Sequence, residues 1–150
     1  MASAVRRHCS DCAQTNGSGV RLYLDTSSLV KLIVAEPEST ALGDYLQRFA
    51  EDELFTAALA RTELVRAVAG GGPPAVAEAR ALLDSIDTVA LSRSVLDAAA
   101  TLPSPRLRTL DAIHLAAAQR AGGSLRAVVT YDRRMAEAAA ALGMPYDGPS

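Results

Sequence analysis

The chain has 150 residues, of which 49% are hydrophobic, and its 15 basic and 17 acidic side chains leave a formal charge of -2. That is one domain with enough apolar material for one packed core, and the near-neutral total excludes a global positive field that would draw nucleic acid to the whole surface. A local patch stays open: with four acids set aside in a metal site, 13 acids would face 15 bases, of which only Lys31 is not arginine.

Residues 1–19 are polar, aperiodic and rich in Ser, Gly and Asn, which predicts a loose tail ahead of a single domain spanning 20–150. Both cysteines lie in it, in His8-Cys9-Ser10-Asp11-Cys12. A CxxC beside a histidine is half a zinc site or a redox pair, but no second ligand pair follows and no strand precedes it. The absence of a disulfide framework suits a reducing cytoplasm. Arg6 and Arg7 are followed by no apolar signal core, and no run approaches the roughly 18 apolar residues of a membrane span.

The fold is expected to begin with Val20 to Leu24, an apolar run that reads as a buried strand and ends on Asp25. Ser27 or Ser28 then caps a helix carrying Leu29, Val30, Leu32 and Ile33. Pro37 breaks that pattern, and Ser39 is placed to cap a helix through Leu42, Tyr45, Leu46 and Phe49. Glu53 to Thr56 reads as a second strand, followed by a helix through Leu59, Leu64 and Val68 that contains Glu63. Gly70-Gly71-Gly72-Pro73-Pro74 is the strongest punctuation in the chain. A helix from Ala75 to about Ile86 leads to a third strand over Thr88 to Leu91, and Ser92 or Ser94 caps the next helix. After Pro103-Ser104-Pro105 and a loop with Arg106 and Arg108, Thr109 is expected to cap a helix that bears Asp111 in its first turn. Leu125 to Tyr131 is a second well-marked buried strand ending on Asp132, with a helix from Arg133 to Leu142 behind it. The residues from Met144 onward form an edge strand or a tail.

Strands separated by helices imply an α/β fold: a three-layer α/β/α sandwich around a parallel sheet of four to five strands. In such a sheet the first strand and a later one are neighbours at the switch point, and ligands sit outside their carboxyl ends. Asp25 and Asp132 follow the two clearest strands, and Glu63 and Asp111 sit on helices near them. Two unit charges about 4 Å apart repel by roughly 4 kcal/mol at an effective dielectric near 20, whereas a helix amino terminus offers about 0.3–1 kcal/mol. Such a cluster therefore protonates some members or holds a divalent cation. Oxygen-only ligands favour Mg²⁺ or Mn²⁺ over zinc, and Mg²⁺ also takes phosphate oxygens.

Leu-Asp-Thr-Ser at 24–27, Arg-Thr-Glu-Leu at 61–64, Leu-Asp-Ala-Ile-His-Leu-Ala at 110–116 and Val-Thr-Tyr-Asp at 129–132 resemble the PIN-domain ribonucleases. More narrowly, they are similar to the VapC toxins of bacterial VapBC toxin–antitoxin pairs, over about Val20 to Met144. The resemblance implies Mg²⁺- or Mn²⁺-dependent endoribonuclease activity, a homodimer, and inhibition by a VapB-like antitoxin whose tail enters the acidic groove. It matches Asp25, Glu63, Asp111 and Asp132 to the catalytic quartet, with Asp25, Asp111 and Asp132 as metal ligands. It matches Ser27 and Thr130 to the hydroxyls that orient those carboxylates. Lys31, Arg108, Arg133 and Arg134 flank the expected site and are candidates for contacting RNA phosphates. His114, three residues after Asp111, reads as a packing or supporting histidine rather than a phosphate contact.

Two other readings compete. A non-catalytic RNA- or protein-binding module on the same fold would share the architecture, and the intact quartet favours the enzyme. A phosphoaspartate enzyme or receiver domain also places Asp after the first strand. The dehalogenase-like pattern needs a second Asp where Ser27 stands, and a receiver needs a late lysine that this chain lacks.

Overall fold

A computed structural model describes residues 19–104 and 106–150. Cys9, Cys12 and all of the expected tail 1–19 but Gly19 therefore lie outside the described residues. The strands are β1 (Arg21–Leu24), β2 (Glu53–Ala57), β3 (Asp87–Val89), β4 (Leu125–Val129) and β5 (Tyr146–Asp147). The helices are α1 (Thr26–Ile33), α2 (Ser39–Arg48), α3 (Ala60–Val68), α4 (Gly72–Asp84), α5 (Arg93–Ala100), α6 (Thr109–Gln119) and α7 (Arg133–Ala141). One sheet runs in the order β3-β2-β1-β4-β5, with every pairing parallel.

The alternation of side chains along each strand decides what the two faces bury. Leu22 and Leu24 of β1 and Ala127 and Val129 of β4 face one core, with Leu29 and Leu32 of α1, Leu42 and Leu46 of α2, Leu64 of α3 and Leu82 of α4. Tyr23, Phe55 and Val128 face the other, with Val95 of α5, Leu115 of α6 and Met135 of α7. Each large side chain buried this way contributes roughly 1.5–3 kcal/mol. The sheet is thus covered on both faces, which is why β1 and β4 read as unbroken apolar runs.

The topology reverses between β1 and β4. From β1 the chain steps to β2 and β3 on one side, then returns to place β4 on the other. Leu24 pairs with Val129, so the next residues of the two strands, Asp25 and Thr130, stand level at the carboxyl end of the sheet. The Asp25 N–H reaches the Val129 carbonyl at 3.3 Å.

Three expected helix caps are corrected. Asp25 itself caps α1, accepting from the Ser28 N–H at 2.9 Å, so neither Ser27 nor Ser28 does. A carboxylate one position earlier, already at the strand end, takes the donor first. Glu38 and Arg108 occupy the cap positions of α2 and α6 without a side-chain cap bond. Ser39 instead turns inward and donates to the Lys31 carbonyl at 2.8 Å, and Thr109 is the first residue of α6 rather than its cap. The Gly-Pro stretch is not an extended loop. A single 3₁₀ turn, Ala69–Gly71, passes straight into α4, and Gly72 holds φ 78°, which glycine adopts without a Cβ penalty.

Candidate active site

All four acids of the quartet sit at helix amino ends. Asp25 caps α1 and Asp132 caps α7, while Glu63 and Asp111 lie in the first turns of α3 and α6. This follows from the parallel sheet: each right-handed crossover aims its helix amino terminus back toward the carboxyl end of the strands.

Asp25 is the buried member, 2% exposed. Its carboxylate accepts from Ser27 Oγ at 2.7 and 2.9 Å, from Thr130 Oγ1 at 2.6 Å and from the Ser28 N–H. Burial pushes its pKa above the usual carboxylate range, and the hydroxyl and amide donors pull against it. Those donors are fixed in turn. The Tyr131 N–H donates to Ser27 Oγ at 2.9 Å and the Asp132 N–H to Thr130 Oγ1 at 3.0 Å, which points both hydroxyl protons at Asp25. Asp132 spends Oδ1 on the Arg134 and Met135 N–H groups, at 2.8 and 3.2 Å.

Glu63 is half-buried. Its Oε1 accepts from Thr26 Oγ1 at 2.8 Å and lies 2.5 Å from His114 Nε2. Burial raises its pKa, but the bonds and charge of His114 and the Thr26 bond outweigh that and hold it below the usual value. Asp111 goes the other way: burial and then the negative charge of Asp132 push it up, Glu63 adds to this, and His114 and Arg108 oppose it. Carboxylates from three helices therefore act on one another at one end of the sheet.

That electrostatic crowding, in an all-oxygen acid set, fits a hard divalent cation. Among the described residues no group of three or more His, Cys, Asp or Glu is already gathered into a cage. Mg²⁺ does not require one, because it keeps several waters and shares its shell with substrate phosphates. The described surface cavities, about 470 and 310 Å³, are lined by none of the four acids.

The basic candidates divide. Lys31 does not stand free at a groove mouth. It is buried, its Nζ lies 2.5 Å from Glu36 and 2.8 Å from Glu38, and it sits over the Tyr131 ring at 4.6 Å. Arg133 is exposed and pairs with Glu137 four residues on. Arg108 is close enough to lower the Asp111 pKa, and Arg134 shares the 310 Å³ cavity with Arg106 and Leu107. Sequence reasoning missed Thr26 and Tyr23. Thr26 follows Asp25 directly, and a threonine in the first turn of a helix gives no sign that its hydroxyl reaches Glu63. Tyr23 carries no local signal beyond its place in a strand.

A PIN-domain family model matches residues 22–141. Ribonuclease VapC35 of Mycobacterium tuberculosis is 49% identical over 133 residues, covering 85% of this chain and 96% of the relative. Ribonuclease VapC46 of the same organism is 46% identical over 129 residues, covering 86% and 98%. The crystal structure of Mycobacterium tuberculosis VapC20, titled a sarcin-ricin loop cleaving toxin, superposes with a TM-score of 0.67 over 85% of this chain and 99% of that one, at 15% identity. That last likeness is one of fold.

Proposed function

The chain belongs to the PIN-domain family, and from that premise we propose that it is a metal-dependent endoribonuclease, the toxin of a toxin–antitoxin pair. Its likeness to VapC35 and VapC46, both named ribonucleases, over nearly their full length supports the reading. The observation that supports it is geometric: the β1–β4 register sets Asp25 beside Thr130, whose hydroxyl donates to Asp25 and accepts from the Asp132 N–H, while Thr26, next to Asp25, and His114, on the helix of Asp111, both reach Glu63.

In this proposal Asp25, Asp111 and Asp132 hold Mg²⁺ or Mn²⁺. When bound, such an ion neutralises the acids, lowers the pKa of water and stabilises a leaving oxygen. The protein's part is positional. Ser27 and Thr130 keep the Asp25 carboxylate in one orientation, with its proton donors already satisfied from behind. Glu63, with Oε1 occupied by Thr26 and His114, presents Oε2 to orient a water toward phosphorus. Arg108 and Arg134 contact RNA phosphates. The route uses no histidine as acid or base and no RNA 2′-hydroxyl. The proposed partners are a VapB-like antitoxin and a second copy of this chain, in a cytoplasmic setting; among the described residues no helix is long and apolar enough to cross a membrane.

The test compares RNA cleavage by the wild type, Asp25→Asn and Asp111→Asn with Mn²⁺ and with chelator. Cleavage is expected only from the wild type with metal. Wild-type rates in both variants would sink the proposal, and metal titration showing no binding to a folded, inert wild type would favour the non-catalytic module.

A further inference from the structure

Behind Glu63 runs a buried chain of hydrogen bonds that the quartet alone does not explain. The Ala57 N–H donates to the Tyr23 hydroxyl oxygen at 3.2 Å. That oxygen lies 2.6 Å from His114 Nδ1, and His114 Nε2 lies 2.5 Å from Glu63 Oε1. Tyr23 is 0% and His114 2% exposed. Phe55 fixes the Tyr23 ring edge-on, with centroids 5.1 Å apart. Tyr23 and His114 are 91 residues apart, and each arises from a rigid element, β1 and α6.

The directions of these bonds follow from counting donors. Ala57 has only a proton to give, so the Tyr23 oxygen accepts there. The Tyr23 hydroxyl also neighbours the side chain of Thr56, whose own proton goes to the Leu24 carbonyl at 2.6 Å, and the 2.6 Å approach to His114 Nδ1 assigns the Tyr23 proton to that nitrogen. With Nδ1 accepting, the ring proton sits on Nε2 and points at Glu63. The competing arrangement, a doubly protonated ring that donates from Nδ1 to Tyr23 while Tyr23 donates to Thr56, differs from it by a proton on Nδ1.

We propose that Tyr23 and His114 are positioning residues that lock the Nε2–H tautomer and thereby hold Glu63 by Oε1, leaving Oε2 as its single working oxygen. The proposal rests on the nuclease reading for what Glu63 does, but not for the tautomer. Neither side chain touches substrate; both act through Glu63.

Nitrogen-15 NMR of histidine-labelled protein reads the ring directly. The chain has two histidines, His8 and His114, and a His114→Gln variant assigns the signal. The expected result in the wild type is a protonated Nε2 and an unprotonated Nδ1 at His114. A proton on Nδ1 overturns the proposal without reference to activity and without a variant that has to fold. Kinetics supply the second arm. Tyr23→Phe should lower single-turnover cleavage about tenfold with KM within about twofold, in the range seen when supporting groups of a site are removed. In a Glu63→Gln background the same change should cost nothing further. An equal loss in both backgrounds means a general structural role and overturns the positioning claim. Wild-type cleavage by Glu63→Gln alone would remove Glu63 from the nuclease reading, while the tautomer result stands or falls separately.

Discussion

Thr130→Val isolates the support of Asp25 at nearly constant volume. The hydroxyl makes two bonds that a methyl cannot: it donates to the buried Asp25 carboxylate at 2.6 Å and accepts from the Asp132 N–H at 3.0 Å. A hydrogen bond to a charged group contributes about 1.5–3 kcal/mol, and leaving the part-buried N–H unpaired costs about 1 kcal/mol more. The added methyl returns less than about 1 kcal/mol. The expected loss is about 2–4 kcal/mol, or roughly 10 °C in melting temperature for a domain of this size, which still leaves the protein folded at room temperature. The chain has no Trp, so urea unfolding is best followed by far-UV circular dichroism. Thr130→Ser should recover most of the loss. In an Asp25→Asn background the cost should fall toward about 1 kcal/mol, because the charge that made the bond strong is gone. A Thr130→Val protein with an unchanged urea midpoint and unchanged RNA cleavage would refute the claim that this hydroxyl holds the site acid.

Metal and pH should act together. Asp25 and Asp111 both have pKa values raised from 3.8, by burial first, so the folded chain without metal binds their protons more tightly than the unfolded chain does. Their contribution to stability is present at low pH and lost as pH rises from about 4 through their folded values. A cation competes with those protons, so Mn²⁺ should raise the melting temperature more near pH 8 than near pH 5, and the rise should vanish in an Asp25→Asn, Asp111→Asn protein. Lys31→Met should lower the melting temperature by a few degrees while leaving RNA affinity and its salt dependence unchanged, since its ammonium is committed to Glu36 and Glu38; weaker RNA binding by a stable variant would return it to the RNA surface. Arg108→Ala and Arg134→Ala should each weaken RNA binding and reduce the salt slope by about one, with the metal-induced melting shift intact.

The parts of this molecule visible in its sequence are those with a local signature. β1 and β4 announce themselves because both faces are covered, and Asp25 and Asp132 are conspicuous as acids at the ends of apolar runs. The parallel sheet followed from the alternation of elements. Long-range pairings left no such trace. Nothing near Tyr23 signals that its hydroxyl meets a histidine from α6, and Lys31 looks like a surface cation until Glu36 and Glu38 fold back onto it. The misplaced caps share one cause: a Ser or Thr ahead of a helix scores well locally, but Ser39 finds the Lys31 carbonyl inside the fold, and Asp25 outcompetes the serines behind it.

The sheet's outermost members are brief, three residues in β3 and two in β5. So short a ladder offers an incoming strand few unpaired amides and carbonyls to zip onto. Growth of the sheet from one molecule into the next is thereby discouraged.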